Sequence, residues 1–152
     1  MGPKVYITKN LLTEEECFDI ILKYRNKPEY SRIVTILGTT YDDKQRISKT
    51  FMWKNDSNLE KKFNKSPITF QFTEYTQGGY FRWHTDNQFN RLETNIVNLN
   101  DDYAGGGIEI RDFGFYNLDI GDCLSFDSTL EHQALPIISG IRYSLVAWLI
   151  NK

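Results

Sequence analysis

The chain has 152 residues, 40% hydrophobic and 25% charged, values that suit one folded domain with a sizeable core, expected over residues 1–152. Its 18 basic and 20 acidic residues give a net charge of -2 and a pI of about 5.7, a balance that argues against the broad basic footprint of a nucleic-acid binder. No apolar run approaches the ~20 residues of a membrane span, the first residues lack a signal-peptide core, and two cysteines, Cys17 and Cys123, make no disulfide framework, so the expectation is a soluble cytoplasmic protein without membrane or nucleic-acid partners.

Residues 5–8 are a short strand candidate. The following LLTEEECFDIILKYRN predicts a helix: Thr13 can cap it, Glu16 three residues on completes a capping box, and Cys17, Ile20, Ile21 and Tyr24 give one apolar face. Pro28 lies just beyond its end. Strand-like RIVTIL and FMW then flank a polar, Gly-led segment, GTTYDDKQRISKT, residues 38–50. A second, shorter helix is predicted over residues 57–63, ended by Ser66-Pro67.

From Ile68 the pattern changes. ITFQFTEY alternates, with Ile68, Phe70 and Phe72 on one face and Gln71, Thr73 and Tyr75 on the other. Further strands are predicted over residues 80–86, 94–99, 108–112, 115–118, 123–126 and 142–150, most of them separated by Gly, Asn or Asp turns. An aromatic content of 14% agrees with such a β-rich core. The fold class is therefore mainly β (α+β), a sandwich or jelly roll with the leading helices packed on the outside of one sheet.

The chain has only two histidines. His84 lies in His-Thr-Asp, and on a strand His84 and Asp86 project to the same face. His132 lies in DSTLEHQALPIISG, between two strand-like runs. Two imidazoles and one carboxylate on one side of a metal, with open positions opposite, form the facial triad of non-haem Fe(II) oxygenases. Arg142 follows His132 by ten residues and opens RYSLVAWLI, where Arg142, Ser144, Val146 and Trp148 share a face. An arginine at the start of a core strand is costly unless an anion pairs with it, either a protein carboxylate or a bound one held bidentately.

The run from Tyr75 through GGYFRWHTDN, then NLNDDYAGGGIEI, then IGDCLSFDSTLEHQALPIISGIRYSLVAW resembles the Fe(II)/2-oxoglutarate-dependent dioxygenases, and among them the prolyl 4-hydroxylase branch. The likeness covers about residues 68–150. It implies a double-stranded β-helix (jelly roll) core with N-terminal supporting helices. It also implies Fe(II) held by His84, Asp86 and His132, with 2-oxoglutarate as cosubstrate, O2 as oxidant and ascorbate as a supportive reductant. Arg142 would pair with the far carboxylate of 2-oxoglutarate and the Tyr75 phenol would donate to it. Asn98, Thr94, Ile108 and Trp148 match positions lining the cosubstrate pocket. No catalytic residue beyond the metal ligands is implied.

The resemblance further implies hydroxylation of an unactivated C–H bond, most simply in a peptidyl prolyl residue, with release of succinate and CO2. The partner is then a peptide or protein substrate. Residues 38–50 would close over it, and Arg46 and Trp53 would touch it. The nucleic-acid dealkylating branch carries a second arginine six residues after the cosubstrate arginine; here that position is Trp148. YAGGGIEI has neither a following helix nor Gly-Lys-Ser/Thr, so its glycines read as a turn beside the iron pocket rather than a phosphate loop. The other readings are hydroxylation of a different side chain or a small molecule, a Zn²⁺ hydrolase on the same triad, and a non-catalytic jelly-roll binding module. The hydrolase leaves Arg142 without a role and lacks an evident base.

Overall fold

The computed structural model describes residues 2–27 and 45–151, together with the backbone of short strands at 29–30, 33–35 and 38–40. The chain opens with β1 (Val5–Thr8) and α1 (Glu14–Tyr24). The predicted capping box forms: the Glu16 N–H donates to Thr13 Oγ1 at 3.0 Å and the Thr13 N–H donates to Glu16 Oε1 at 2.9 Å. Four short strands follow, β2 (Glu29–Tyr30), β3 (Ile33–Thr35), β4 (Gly38–Thr40) and β5 (Arg46–Ile47), then β6 (Lys49–Lys54) and α2 (Ser57–Phe63). Asp56 caps α2 by accepting the Leu59 N–H at 3.2 Å.

The remaining elements are strands: β7 (Ile68–Tyr75), β8 (Tyr80–His84), β9 (Arg91–Asn98), β10 (Tyr103–Gly105), β11 (Ile108–Ile110), β12 (Gly114–Tyr116), β13 (Cys123–Asp127), β14 (His132–Ala134), β15 (Ile137–Gly140) and β16 (Arg142–Ile150). One short 3₁₀ turn, Gln88–Asn90, precedes β9. The predicted strand over 80–86 ends at His84, so Asp86 stands beyond it. Of the segment 38–50, residues 41–44 lie outside the described residues. Residues 38–40 pair with β3, 46–47 with β8, and 49–50 open β6.

A seven-stranded antiparallel sheet has the order β1-β13-β9-β16-β7-β6-β2, and a five-stranded sheet has the order β12-β11-β14-β8-β5. The side-chain period of two divides the larger sheet into two faces. On one, Phe70, Phe72, Val97, Cys123, Leu145 and Ala147 pack against Leu12, Cys17 and Tyr24 at and around α1 and Phe63 of α2, as expected for helices outside one sheet. On the other, Ile96, Leu124, Phe126, Val146 and Trp148 meet Ile108 and Ile110 of the smaller sheet. The jelly roll expected from the sequence is thus present, with one core behind the large sheet and another between the sheets.

The glycine triplet makes the crossing into β11. Gly105, Gly106 and Gly107 all have positive φ, 81°, 72° and 99°. A Cβ on Gly106 would stand 2.8 Å from Ile137 Cδ1 and 3.5 Å from Arg142 Cδ. The triplet turns the chain from β10 into β11, as predicted, and Gly106 packs beside Arg142.

Candidate metal centre

β14 pairs antiparallel with β8 so that His132 lies directly opposite His84. Directly opposed residues share a face of the sheet, and the two imidazole centroids are 4.2 Å apart. Asp86 reaches the same point from the turn after β8, its N–H donating to the Ser128 carbonyl at 2.9 Å. His84 Nε2 is 3.4 Å from Asp86 Oδ1 and His132 Nε2 is 3.3 Å from Asp86 Oδ2. One ligand atom from each residue falls within 4.8 Å of the others, the only such group of three among the described residues. Sequence spacing placed His84 and Asp86 on one strand face. They converge instead because the strand stops and the backbone bends.

Both rings are oriented by the same local device. His84 Nδ1 faces the Arg82 carbonyl at 2.6 Å and His132 Nδ1 faces the Leu130 carbonyl at 3.1 Å. Each Nδ1–H donates to a carbonyl two residues back, which leaves Nε2 directed at the shared centre. Phe81 stacks on His84 with centroids 3.4 Å apart and planes at 8°, and Phe126 meets His132 edge-on at 4.7 Å.

Asp86 is held as firmly. The Thr94 hydroxyl donates to Oδ2 at 3.0 Å and the Trp148 indole N–H donates to the same oxygen at 3.2 Å. Burial pushes the Asp86 carboxyl up, but His132 and then His84 outweigh it and hold the group well below the usual carboxylate range. His84 is lowered, first by burial, against the opposing hydrogen bond from Asp86. His132 is raised: burial lowers it, and the Asp86 charge more than compensates. The centre thus offers an ionised buried carboxylate and two imidazoles with converging Nε2 atoms. That donor set suits a divalent metal.

The triad lies in a cavity of about 740 Å³ lined from both sheets. Tyr75, Ile108, Arg142, Trp148 and Arg46 all line it. Arg142 is 3% exposed and sits opposite Tyr75 in the β16–β7 ladder, its guanidinium 5.3 Å from the Tyr75 ring. It has no carboxylate partner among the described residues. A buried arginine in that condition is a site for an anion.

Four expected site residues stand elsewhere or do something else. Thr94 and Trp148, assigned to the cosubstrate, spend their donors on Asp86. Asn98 does not reach the cavity: its amide donates to the Asn100 and Leu118 carbonyls at 2.9 Å each and accepts the Tyr103 hydroxyl. Trp53 cannot touch a substrate there. It faces the helices, stacked on Tyr24 at 4.1 Å, while its neighbour Met52 lines the cavity. The error is one residue, which on a strand means the opposite face. Sequence reasoning also missed Phe81, Gln71 and Arg91 in the lining. Gln71 was legible as the polar side of β7; Arg91 was not, because its place depends on the pairing of β9 with β16.

Fold and site together define a jelly-roll protein with a facial His–Asp–His triad and a buried arginine across one cavity. The family model of the 2OG-Fe(II) oxygenase superfamily matches residues 70–150, and the chain belongs to that superfamily, an enzymatic one. A PKHD-type hydroxylase of Synechococcus sp. is 30% identical over 82 residues, which are 47% of this chain and only 37% of that protein's length. Among solved structures, a Pseudomonas putida prolyl-4-hydroxylase has a TM-score of 0.79 at 15% identity, covering 97% of this chain and 92% of that one. A Trichoplax adhaerens prolyl hydroxylase, solved with a hypoxia inducible factor peptide fragment, has a TM-score of 0.74 at 16% identity, covering 96% and 83%. A viral collagen prolyl hydroxylase from Paramecium Bursaria Chlorella virus-1, in complex with 2OG, has a TM-score of 0.71 at 18% identity, covering 95% and 94%. These establish a shared fold. No helix among the described residues is long and apolar enough to cross a membrane.

Proposed function

We propose that this chain hydroxylates an unactivated C–H bond, using Fe(II) and 2-oxoglutarate, and that its substrate is a peptidyl prolyl residue. The observation that carries the chemistry is the buried Arg142, without a carboxylate partner among the described residues, in the same cavity as the triad. His84, Asp86 and His132 would hold the iron, and Arg142 the far carboxylate of 2-oxoglutarate, with the Tyr75 phenol beside it. With O2, bound iron would supply the coupled oxidation of both substrates: 2-oxoglutarate would lose CO2 and become succinate by taking one oxygen atom, and the substrate carbon would take the other.

The chain's own residues do the rest. Thr94 and Trp148 fix one carboxylate oxygen of Asp86 and so the direction of the other. Ile96, Ile108, Val146 and Trp148 form an apolar wall that keeps water from the reacting centre. The prolyl assignment is supported by the likeness of the fold to three prolyl hydroxylase structures.

The test is succinate formation under air with Fe(II) and ascorbate, with and without a pool of proline-containing peptides, alongside His84→Ala. Succinate that requires His84, and a one-oxygen mass gain on a prolyl residue, are the expected results. Turnover that ignores the peptides while a non-prolyl substrate gains oxygen would move the assignment to another side chain or a small molecule.

A further inference from the structure

Among the described residues, the cavity contains more positive charge than iron and 2-oxoglutarate binding require. That part of its lining includes three arginines, Arg46, Arg91 and Arg142, and one carboxylate, Asp86. If Arg142 takes the far carboxylate of 2-oxoglutarate, as the proposed function holds, the remaining balance can be counted. Fe(II) and three guanidinium groups bring five positive charges; Asp86 and the cosubstrate dianion bring three negative ones. Two positive charges are left, one for each of Arg46 and Arg91. Neither has a carboxylate partner among the described residues.

Both are fixed in the same manner, each against an aromatic ring that touches a residue of the triad. The Arg46 guanidinium lies 4.1 Å from the Phe81 ring centroid, and Phe81 is the ring stacked on His84. Arg46 Nε donates to Ser48 Oγ at 2.6 Å, which leaves its terminal nitrogens for another acceptor. The Arg91 guanidinium lies 3.6 Å from the Trp148 ring, and Trp148 is the indole that donates to Asp86. An aromatic ring against the flat face of a guanidinium leaves its N–H edge available for an anion. The two groups also sense each other: Arg91 is lowered from its ordinary value by burial first and by the Arg46 charge, against the pull of Asp86. Two cations lining one half-buried pocket need a counter-charge.

We propose that Arg46 and Arg91 form an anion subsite that receives a carboxylate of the substrate, so that this enzyme acts on an acidic prolyl substrate and not on a neutral one. The carboxylate has two possible sources: an acidic side chain next to the proline in a peptide, or the α-carboxylate of a terminal or free proline. In either case it lies one aromatic ring away from a metal ligand, close to the carbon that is oxidised.

The experiment is calorimetry on protein loaded with Mn(II), which occupies the site without turnover. 2-Oxoglutarate is titrated first, then two matched pairs of probes. The first pair is a short capped peptide with glutamate on both sides of proline and its glutamine counterpart. The second is L-proline and L-prolinamide. We expect the acid of at least one pair to bind about tenfold or more tighter than its neutral partner at low salt, with the difference shrinking as salt is raised. The pair that discriminates names the source. Arg46→Gln and Arg91→Gln should each cut the preference about fivefold or more, and Arg46→Lys and Arg91→Lys should restore part of it; circular dichroism checks that each is folded. Absence of a preference in both wild-type pairs, or a preference that survives both Gln variants, overturns the subsite. Failure of 2-oxoglutarate to bind at all would instead remove the functional reading and the subsite with it.

Discussion

The two faces of the large sheet are built from the same strands and do opposite work. On the helix face, Phe70, Phe72, Val97, Leu145 and Ala147 are sealed under α1 and α2. On the cavity face, the residues between them are Gln71, Thr73, Tyr75, Ile96, Ser144 and Val146, with Arg142 and Trp148 at the two ends of β16. The helix face contributes stability through buried apolar area. The cavity face gives up part of that contribution by burying polar groups whose partners are one another or a ligand. A strand can serve both roles because its period of two lets each face be chosen independently.

Replacing residues on one face should therefore separate folding from activity. His132→Ala, on the cavity side, is expected to bring succinate formation to background while far-ultraviolet circular dichroism stays unchanged; residual turnover at a substantial fraction of wild type would remove His132 from the centre. Phe70→Ala, on the helix side, should cost about 3–5 kcal/mol of unfolding free energy, measured by urea titration, with 2-oxoglutarate affinity of the folded fraction preserved. Equal loss of stability from both changes would mean that the faces are not functionally distinct.

Smaller effects sharpen the division within the cavity face. Arg142→Gln should weaken 2-oxoglutarate binding by about 2–5 kcal/mol, roughly thirtyfold or more, because a buried carboxylate loses its charged partner. Thr94→Val removes one of the two donors on Asp86 Oδ2 and should lower metal affinity about tenfold to a hundredfold, without a comparable change in 2-oxoglutarate affinity at saturating metal. The least effect belongs to the thiols. Cys17 and Cys123 are buried on the helix side and pushed up to about 11, by burial first in each case. A folded pKa above the unfolded one means that stability is unchanged below about pH 9 and erodes as pH rises towards 11. At neutral pH both thiols should resist labelling until the protein is unfolded.

The contrast also explains what could be read from the sequence. α1 was legible because its cap and its apolar face are local, and β7 and β16 because half-buried strands alternate. The triad was legible because the chain has so few histidines that His84 and His132 had to be considered together. β14 and β15 were not, since three or four residues around Pro136 show no alternation. Trp53 was given to the cavity although the register of β6 against β7 sets Trp53 opposite Phe70, on the helix face. The bonds from Thr94 and Trp148 to Asp86 depend on β9 lying beside β16, with Trp148 opposite Thr94. That pairing joins residues far apart in the chain, and no local pattern carries it.

In the proposed arrangement one cavity holds a metal at His84, Asp86 and His132 and 2-oxoglutarate between that metal and Arg142. The most direct measurement is an anaerobic titration of 2-oxoglutarate into Fe(II)-loaded protein, following the visible absorption that Fe(II) gains with a 2-keto acid ligand. The expected result is a band that saturates at one equivalent, is lost in His132→Ala, and in Arg142→Gln appears only at much higher 2-oxoglutarate. A band indifferent to His132, or none in wild-type protein loaded with iron, would contradict it.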